Sequence, residues 1–286
     1  MVELIIDELL NFMRKYTDLY VSVDGNDSNS GLNYEDSFRS IQKAIDTSYY
    51  IIGDVKIFIA DGKYNDVNII VSGSRQGNLE IIGNINDPNK VILDSGDNPT
   101  SAATIWAVNG ANLMISGMKI LATTKQPPLF ASCIRSTYNS LIIIKGEIIF
   151  GNAAYAQILV GNARVIINSS YNIDGSAMYH IFCSTSSSIA TTADQSLFVN
   201  IKKDLIYDKS FACVQTLSIV NWRLPFKLNG NKIKGVRHII SDAGCIAMKA
   251  IGSDPNITPD KFPGDRNGKN ISGFYNGKVY GRKFFN

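Results

Sequence analysis

Between residues 55 and 250 the sequence repeats weakly, and the repeat length limits the fold more than any other feature. Residues 78–84 (NLEIIGN), 112–120 (NLMISGMKI), 140–150 (SLIIIKGEIIF), 163–173 (ARVIINSSYNI) and 187–198 (SSIATTADQSLF) share one plan. A small residue or Asn opens an apolar strand, a Gly or polar break follows, and a second short strand ends the unit. Aligning Leu79, Leu113, Leu141, Val165 and Ile189 gives steps of 34, 28, 24 and 24 residues. Steps in the twenties that settle to a constant are those of a solenoid with one coil per repeat. The strands are short and β-branched, as in parallel sheets with a buried inner face. A sandwich or barrel would show hairpin signals every ~8–12 residues, and these are sparse before residue 229.

Composition agrees. The chain of 286 residues has 39 Ile and 27 Asn but only 5 Glu. Ile packs well on a pleated surface and Asn suits corners, so a mostly helical protein is excluded. A hydrophobic fraction of 45% with 19% charged residues excludes a disordered chain. The net charge of +3 conceals a gradient: −8 over residues 1–100, +2 over 101–200 and +9 over 201–286. A basic end fits an anionic polymer, either nucleic acid or an acidic polysaccharide, or it solubilises an apolar β surface. With no Arg-rich run, nucleic acid is not expected. Cys133, Cys183, Cys213 and Cys245 lack CxxC or Cys/His spacing, so they read as buried free thiols and no metal site is expected. No apolar run reaches 18 residues, so no membrane span is expected. Glu3, Asp7 and Glu8 interrupt what would be a signal peptide's apolar region. The expected location is therefore the cytoplasm, or a virion released by lysis.

Residues 1–18 are expected to hold a helix, with Val2, Ile5, Leu9, Phe12 and Tyr16 at heptad-like spacing. Two readings are open: a cap on a β core, or a coiled coil with other copies. Residues 19–54 read as strand, Gly/Asp/Asn/Ser loop and helix, the helix capped near Asp36 or Ser37 with Phe38, Ile41 and Ile45 on one face. The loop VDGNDSNSG is dense in acids and Gly. Counted from Asp24, however, an EF-hand needs Gly at the sixth position, where Asn29 stands. Leu19–Asp46, with its G-x-D-x-x-x-G loop (Gly25, Asp27, Gly31) and S-I-Q-K-A-I helix, resembles the N-terminal segment of right-handed parallel β-helix proteins of the pectate-lyase-like superfamily, particularly phage tailspikes and tail fibres. The resemblance covers about 28 residues and implies an all-β, right-handed parallel β-helix over 55–250. What it carries to these positions is structural. Residues 251–286 read as a C-terminal cap or trimer contact. Asn229-Gly230, Asn267-Gly268 and Asn276-Gly277 are hairpin-type dipeptides, and the chain ends in alternating aromatics, Gly and Lys.

No phosphate-binding loop, dinucleotide fingerprint, HExxH or GxSxG occurs, and no cofactor is expected. His180 and His238 read as structural. Glycan hydrolysis needs two carboxylates about 5–10 Å apart. Acids are scarce in the middle of the chain: Glu147, Asp174 and Asp194, then Asp204 and Asp208. Glu147 and Asp174 hold similar places on neighbouring repeats and form the candidate catalytic pair. Asp174-Gly175 is also a turn dipeptide, so a structural role is equally available. Lyases of the resembled superfamily use clustered calcium-binding Asp residues and an Arg base, but Arg135 and Arg164 lack such a cluster in sequence. Binding without cleavage would use exposed aromatics. The candidates are Tyr155, Tyr171 and Trp222, the two tyrosines standing beside Asn, Ala and Ser. The expected function is a phage or prophage tail-fibre or tailspike-type homotrimer that recognises a bacterial surface polysaccharide and contacts other tail or baseplate proteins. The alternatives are a polysaccharide depolymerase (hydrolase or lyase) and a structural spacer.

Overall fold

Each repeat bends into a coil because its three short β-branched runs bury one face against a common interior. In the computed structural model, Val55–Ile59, Gly62–Tyr64 and Ile69–Ser72 form the first coil, one strand in each of three sheets. The same order recurs through Ile219–Trp222, Phe226–Lys227 and Ile233–Ile240, building an eleven-, a seven- and an eight-stranded sheet, hereafter the first, second and third. The structure describes residues 17–65, 67–73, 75–96, 101–123, 131–192, 194, 196–248, 262–275 and 278–280. Among them lie seven complete coils of a parallel β-solenoid.

The inner column of the first sheet runs Val55, Leu79, Leu113, Ile142, Val165, Ile189, Val220 and Ile246, each at most 1% exposed. Burial of each such side chain contributes on the order of 2 kcal/mol. This register corrects the alignment above: Ile142, not Leu141, stands opposite Leu113. A one-residue slip exchanges the two faces, and four consecutive apolar residues (141–144) carry no alternation to fix the phase. The steps after Leu113 are therefore 29, 23, 24, 31 and 26 residues, so the repeat does not settle to a constant. Sheet strands set the coil, and corner loops absorb the difference.

The turns from the third sheet to the first carry left-handed residues in pairs: Asn109-Gly110, Tyr138-Asn139, Thr185-Ser186, Thr216-Leu217 and Asp242-Ala243. They stack, with Gly110 N donating to Tyr138 O (2.9 Å), Ser186 N to Thr216 O (2.8 Å) and Leu217 N to Asp242 O (2.9 Å). Asn tolerates this conformation and Leu does not. Leu217 (φ 59°) is 64% exposed, so its side chain returns little. Leu217→Asn is expected to stabilise the protein by about 1 kcal/mol, read as a higher denaturation midpoint. An unchanged or lower midpoint would contradict the strain.

At the N-terminal end, Thr17–Val21 pairs with Val55–Ile59, and the helix Ile41–Ser48 buries Ile41, Ala44 and Ile45. Its cap is Ser40, three to four residues beyond the expected Asp36 or Ser37. Phe38 explains the shift, because it bridges Val21 in extended conformation and drives its ring into the core. Gly25 and Gly31 are required by the same residue. A Cβ at Gly25 would lie 2.2 Å from Phe38 O, and one at Gly31 (φ +73°) 2.1 Å from the Phe38 ring. Asp27 accepts from Arg39 N (3.0 Å), Ser40 N (2.8 Å) and Ser40 Oγ (2.8 Å), tying the loop to the helix cap. Partial burial alone would raise the Asp27 pKa, but the Ser40 and Arg39 hydrogen bonds hold it below the usual carboxylate value.

The helix expected at 2–16 lies outside the described residues. Asn229-Gly230 is not a hairpin turn but the corner between Phe226–Lys227 and Ile233–Ile240. An antiparallel hairpin does close the chain, Gly273–Tyr275 pairing with Lys278–Tyr280. All four cysteines are free, three of them buried. Among the described residues no helix is long and apolar enough to cross a membrane, and no three His, Cys, Asp or Glu side chains gather as metal ligands.

Candidate saccharide-binding site

Second sheet turns into third at a corner closed by glycine. Gly175 lies directly over Gly151, and a Cβ there would sit 1.9 Å from the Gly151 carbonyl carbon. Outside the corner runs a groove of about 660 Å³ lined by Thr123, Asn152, Ala154, Ser176, Met178 and Asp208, among others. Its polar groups link successive coils: Ser176 N donates to Asn152 Oδ1 (2.9 Å), and Ile206 N to Ser176 Oγ (3.0 Å). Two residues before Ser176, the carboxylate of Asp174 pairs with Lys119 Nζ at 2.5 Å.

The chain leaves this groove into the third sheet, whose outer face is aromatic. Tyr155 and Tyr179 directly follow Ala154 and Met178. Together with Phe182 they form a half-buried cluster, with ring centroids 5.1–5.4 Å apart. Strand register continues the face across the coils as Trp106, Arg135, Leu159, Phe182 and Cys213, one step per coil. The Arg135 guanidinium lies 4.7 Å over the Trp106 ring, whose Nε1 donates to Thr137 Oγ1 (2.7 Å). Burial, reinforced by the neighbouring Tyr179, pushes the Tyr155 phenol up to about 12. Burial lowers the Arg135 pKa, because water is partly stripped from the cation. Flat ring faces beside polar groups in a groove suit the two surfaces of a pyranose, its C–H face and its hydroxyl edge.

Of the residues nominated from sequence, Tyr155 lies on this face. Tyr171 and Trp222 do not. Both are 0% exposed, so neither can stack on a sugar. Tyr171 is buried because His180 Nε2 accepts from its hydroxyl (2.7 Å), and Trp222 because Leu224 O accepts from its Nε1 (2.8 Å). Polar neighbours in sequence were a misleading sign of exposure, since inside this solenoid a polar tip can be satisfied.

Glu147 and Asp174 are each held by a different partner. Glu147 precedes the strand Ile148–Ala153, and Asp174 follows Tyr171–Ile173, with Ile149 opposite Asn172 and Phe150 opposite Ile173. Their backbones are thus about four residues, roughly 13 Å, apart along the strand direction. Each carboxylate is already engaged: Glu147 accepts from Asn172 Nδ2, and Asp174 is paired with Lys119. Asn200 Nδ2 in turn donates to Asn172 Oδ1 (2.9 Å), so Glu147 heads a polar row on the second sheet.

Trp106, Arg135, Tyr179 and Phe182 form the rest of the aromatic face and were not nominated from sequence. The signal for Arg135 was its outward position in SCIRST (132–137). Its aromatic neighbours come from other coils and needed the register.

Beneath the face lies a buried polar network. Gln157 Nε2 donates to Gly151 O and Gly175 O (both 2.8 Å), which fixes its Oε1 as acceptor. That oxygen takes bonds from His180 Nδ1 (2.7 Å) and Tyr207 OH (3.0 Å), leaving His180 Nε2 to accept from Tyr171. His180 is therefore a neutral Nδ1–H tautomer, and burial lowers its pKa to about 3.

No protein-family model matches the sequence, and no curated protein matches it. Two solved structures resemble the chain. Pectin methylesterase PemA from Erwinia chrysanthemi is 13% identical, with 93% of this chain and 91% of that one covered and a TM-score of 0.39. Pectin methylesterase from carrot is 14% identical, with 93% and 86% covered and a TM-score of 0.37. The fold itself is read from strand order and register.

Proposed function

We propose that this chain recognises a polysaccharide laid across its coils, with sugar rings stacked on Tyr155, Tyr179 and Phe182 and hydroxyls held in the adjoining groove. The observation that carries the reading is the half-buried cluster of three rings, two of which, Tyr155 and Tyr179, directly follow the groove-lining Ala154 and Met178. A solenoid surface suits a polymer because each coil repeats the same polar and apolar pattern at about 4.8 Å intervals. Screening the protein on a glycan array should find at least one bound polysaccharide. The double variant Tyr155→Ala/Tyr179→Ala should weaken that binding by about tenfold or more. Full affinity in a folded double variant would move the site elsewhere, and binding to no glycan would end the proposal.

Cleavage is the second reading, supported by Asp208 in the groove and Asp174 beside it. New reducing ends, or the ultraviolet absorbance of an unsaturated product, from a glycan that binds would establish it. The finer reading is a phage or prophage tail-fibre or tailspike-type homotrimer, carried on the virion and recognising a bacterial surface glycan. Its support is the opening segment, residues 19–46. A monomer by light scattering at micromolar concentration would count against the trimer.

A further inference from the structure

Strand alternation turns every second residue of the first sheet outward, away from the buried column. From the third coil onward these outward residues are mostly apolar. One column runs Met114, Ile143, Ile166, Ala190, Asn221 and Ala247. The column beside it, at the strand starts, runs Leu141, Arg164, Ser188, Ile219, Cys245 and Phe274. None of these residues is buried, and Ile219 is 49% and Phe274 39% exposed. Arg164 is the one charged residue in the two columns. Nearer the N-terminus the first column turns charged, with Asp18, Lys56 and Glu80, and Glu80 pairs with Lys145 (3.2 Å). The apolar face therefore has a charged border.

Leu217 adds a second, independent observation. It stands at the corner leading into Ile219–Trp222, two residues before Ile219, in the left-handed region (φ 59°) and 64% exposed. The isolated chain does not repay that conformation, and strain kept at a surface points to function. We infer that a second copy of this chain covers this face, first sheet against first sheet, with Leu217 at the rim of the contact. A copy brings the same charge-poor columns, so no opposite charge is needed, and flat ladders of side chains pack face to face about 10 Å apart. Arg164 opens its strand, so its stem reaches the rim and leaves the guanidinium in water. Seven strands about 4.8 Å apart and about four residues long make a face of roughly 30 by 13 Å. Counting both copies, the area removed from water is on the order of 1,000 Å², the lower end for a specific contact, so association is weak. The inference is independent of glycan binding, which uses the third sheet, and a dimer and a trimer both satisfy it.

Sedimentation velocity of the full chain from about 1 to 100 μM should show mass rising with concentration. Ile219→Lys puts a charge on the face at an exposed position and should weaken association about tenfold or more. Tyr50→Lys changes an equally apolar residue, 90% exposed beyond the N-terminal helix, and should leave association unchanged. Leu217→Asn should raise the denaturation midpoint of the dilute protein and yet weaken association, a split that a purely structural leucine would not produce. Cys245 is the one cysteine that is not buried, so its labelling by a maleimide should slow as concentration rises. A chain that stays monomeric throughout, or a folded Ile219→Lys that associates as well as wild type, would overturn the inference. So would Cys245 labelling that ignores concentration, and that readout with Leu217→Asn decides the matter if Ile219→Lys does not fold.

Discussion

Gln157→Leu is expected to cost about 4 kcal/mol or more, although Leu matches the size and the apolar surroundings of the site. The substitution removes four hydrogen bonds at once. It strands the carbonyls of Gly151 and Gly175, the Nδ1–H of His180 and the hydroxyl of Tyr207, all without access to water. Each stranded buried group costs about 1–3 kcal/mol. By contrast Tyr207→Phe removes one partner and leaves Gln157 Oε1 still accepting from His180, so about 1 kcal/mol is expected. Chemical denaturation of the three proteins followed by circular dichroism reads the difference. Similar midpoints for Gln157→Leu and wild type would mean that the network contributes nothing.

Acid should destabilise the fold through His180 well above the range where carboxylates titrate. Its pKa in the folded protein is about 3, against about 6.5 in the unfolded chain. The unfolded state therefore binds the proton first as pH falls. The stability held above pH 6.5 is lost progressively down to about pH 3, where the folded state also protonates. Between pH 7 and pH 4 the loss from this residue is about 3 kcal/mol. A His180→Gln variant is expected to start less stable at pH 7 and to lack this component of the slope. His238 acts in the same direction, because burial lowers its pKa too. It is present in both proteins, so the wild-type minus variant slope belongs to His180. Equal slopes for both proteins from pH 7 to pH 4 would contradict the buried neutral imidazole.

How much of this was legible in the sequence follows from the physics of each part. The solenoid was legible because short β-branched runs recur at the spacing of a coil and hairpin signals are missing. Ile41 and Ile45 were legible as one buried helical face because helical spacing is local, whereas Phe38, expected on that face, lies before the helix and is buried from an extended bridge to Val21. The phase of 141–144 was not, since four apolar residues in a row fit either face. Tyr171 was misread because exposure was judged from sequence neighbours, and Trp222 was nominated as an aromatic alone, whereas the partners that bury them, His180 and Leu224, depend on which way each strand faces. Arg135 was visible only as an arginine without a nearby Asp cluster, and its stacking on Trp106 exists only across coils. The partners of the candidate acid pair, Asn172 for Glu147 and Lys119 for Asp174, likewise lie on other coils and needed the register.

The claim that a glycan lies on the third sheet is tested most directly by tryptophan fluorescence. The chain has two tryptophans. Trp222 is fully buried, while Trp106 is partly exposed on the proposed binding face beneath Arg135. Acrylamide should therefore quench Trp106 and spare Trp222. Saturating the protein with a polysaccharide that binds on the array should protect Trp106, removing most of the quenchable emission. Quenching that is unchanged at saturation would place the glycan on another face and contradict the account.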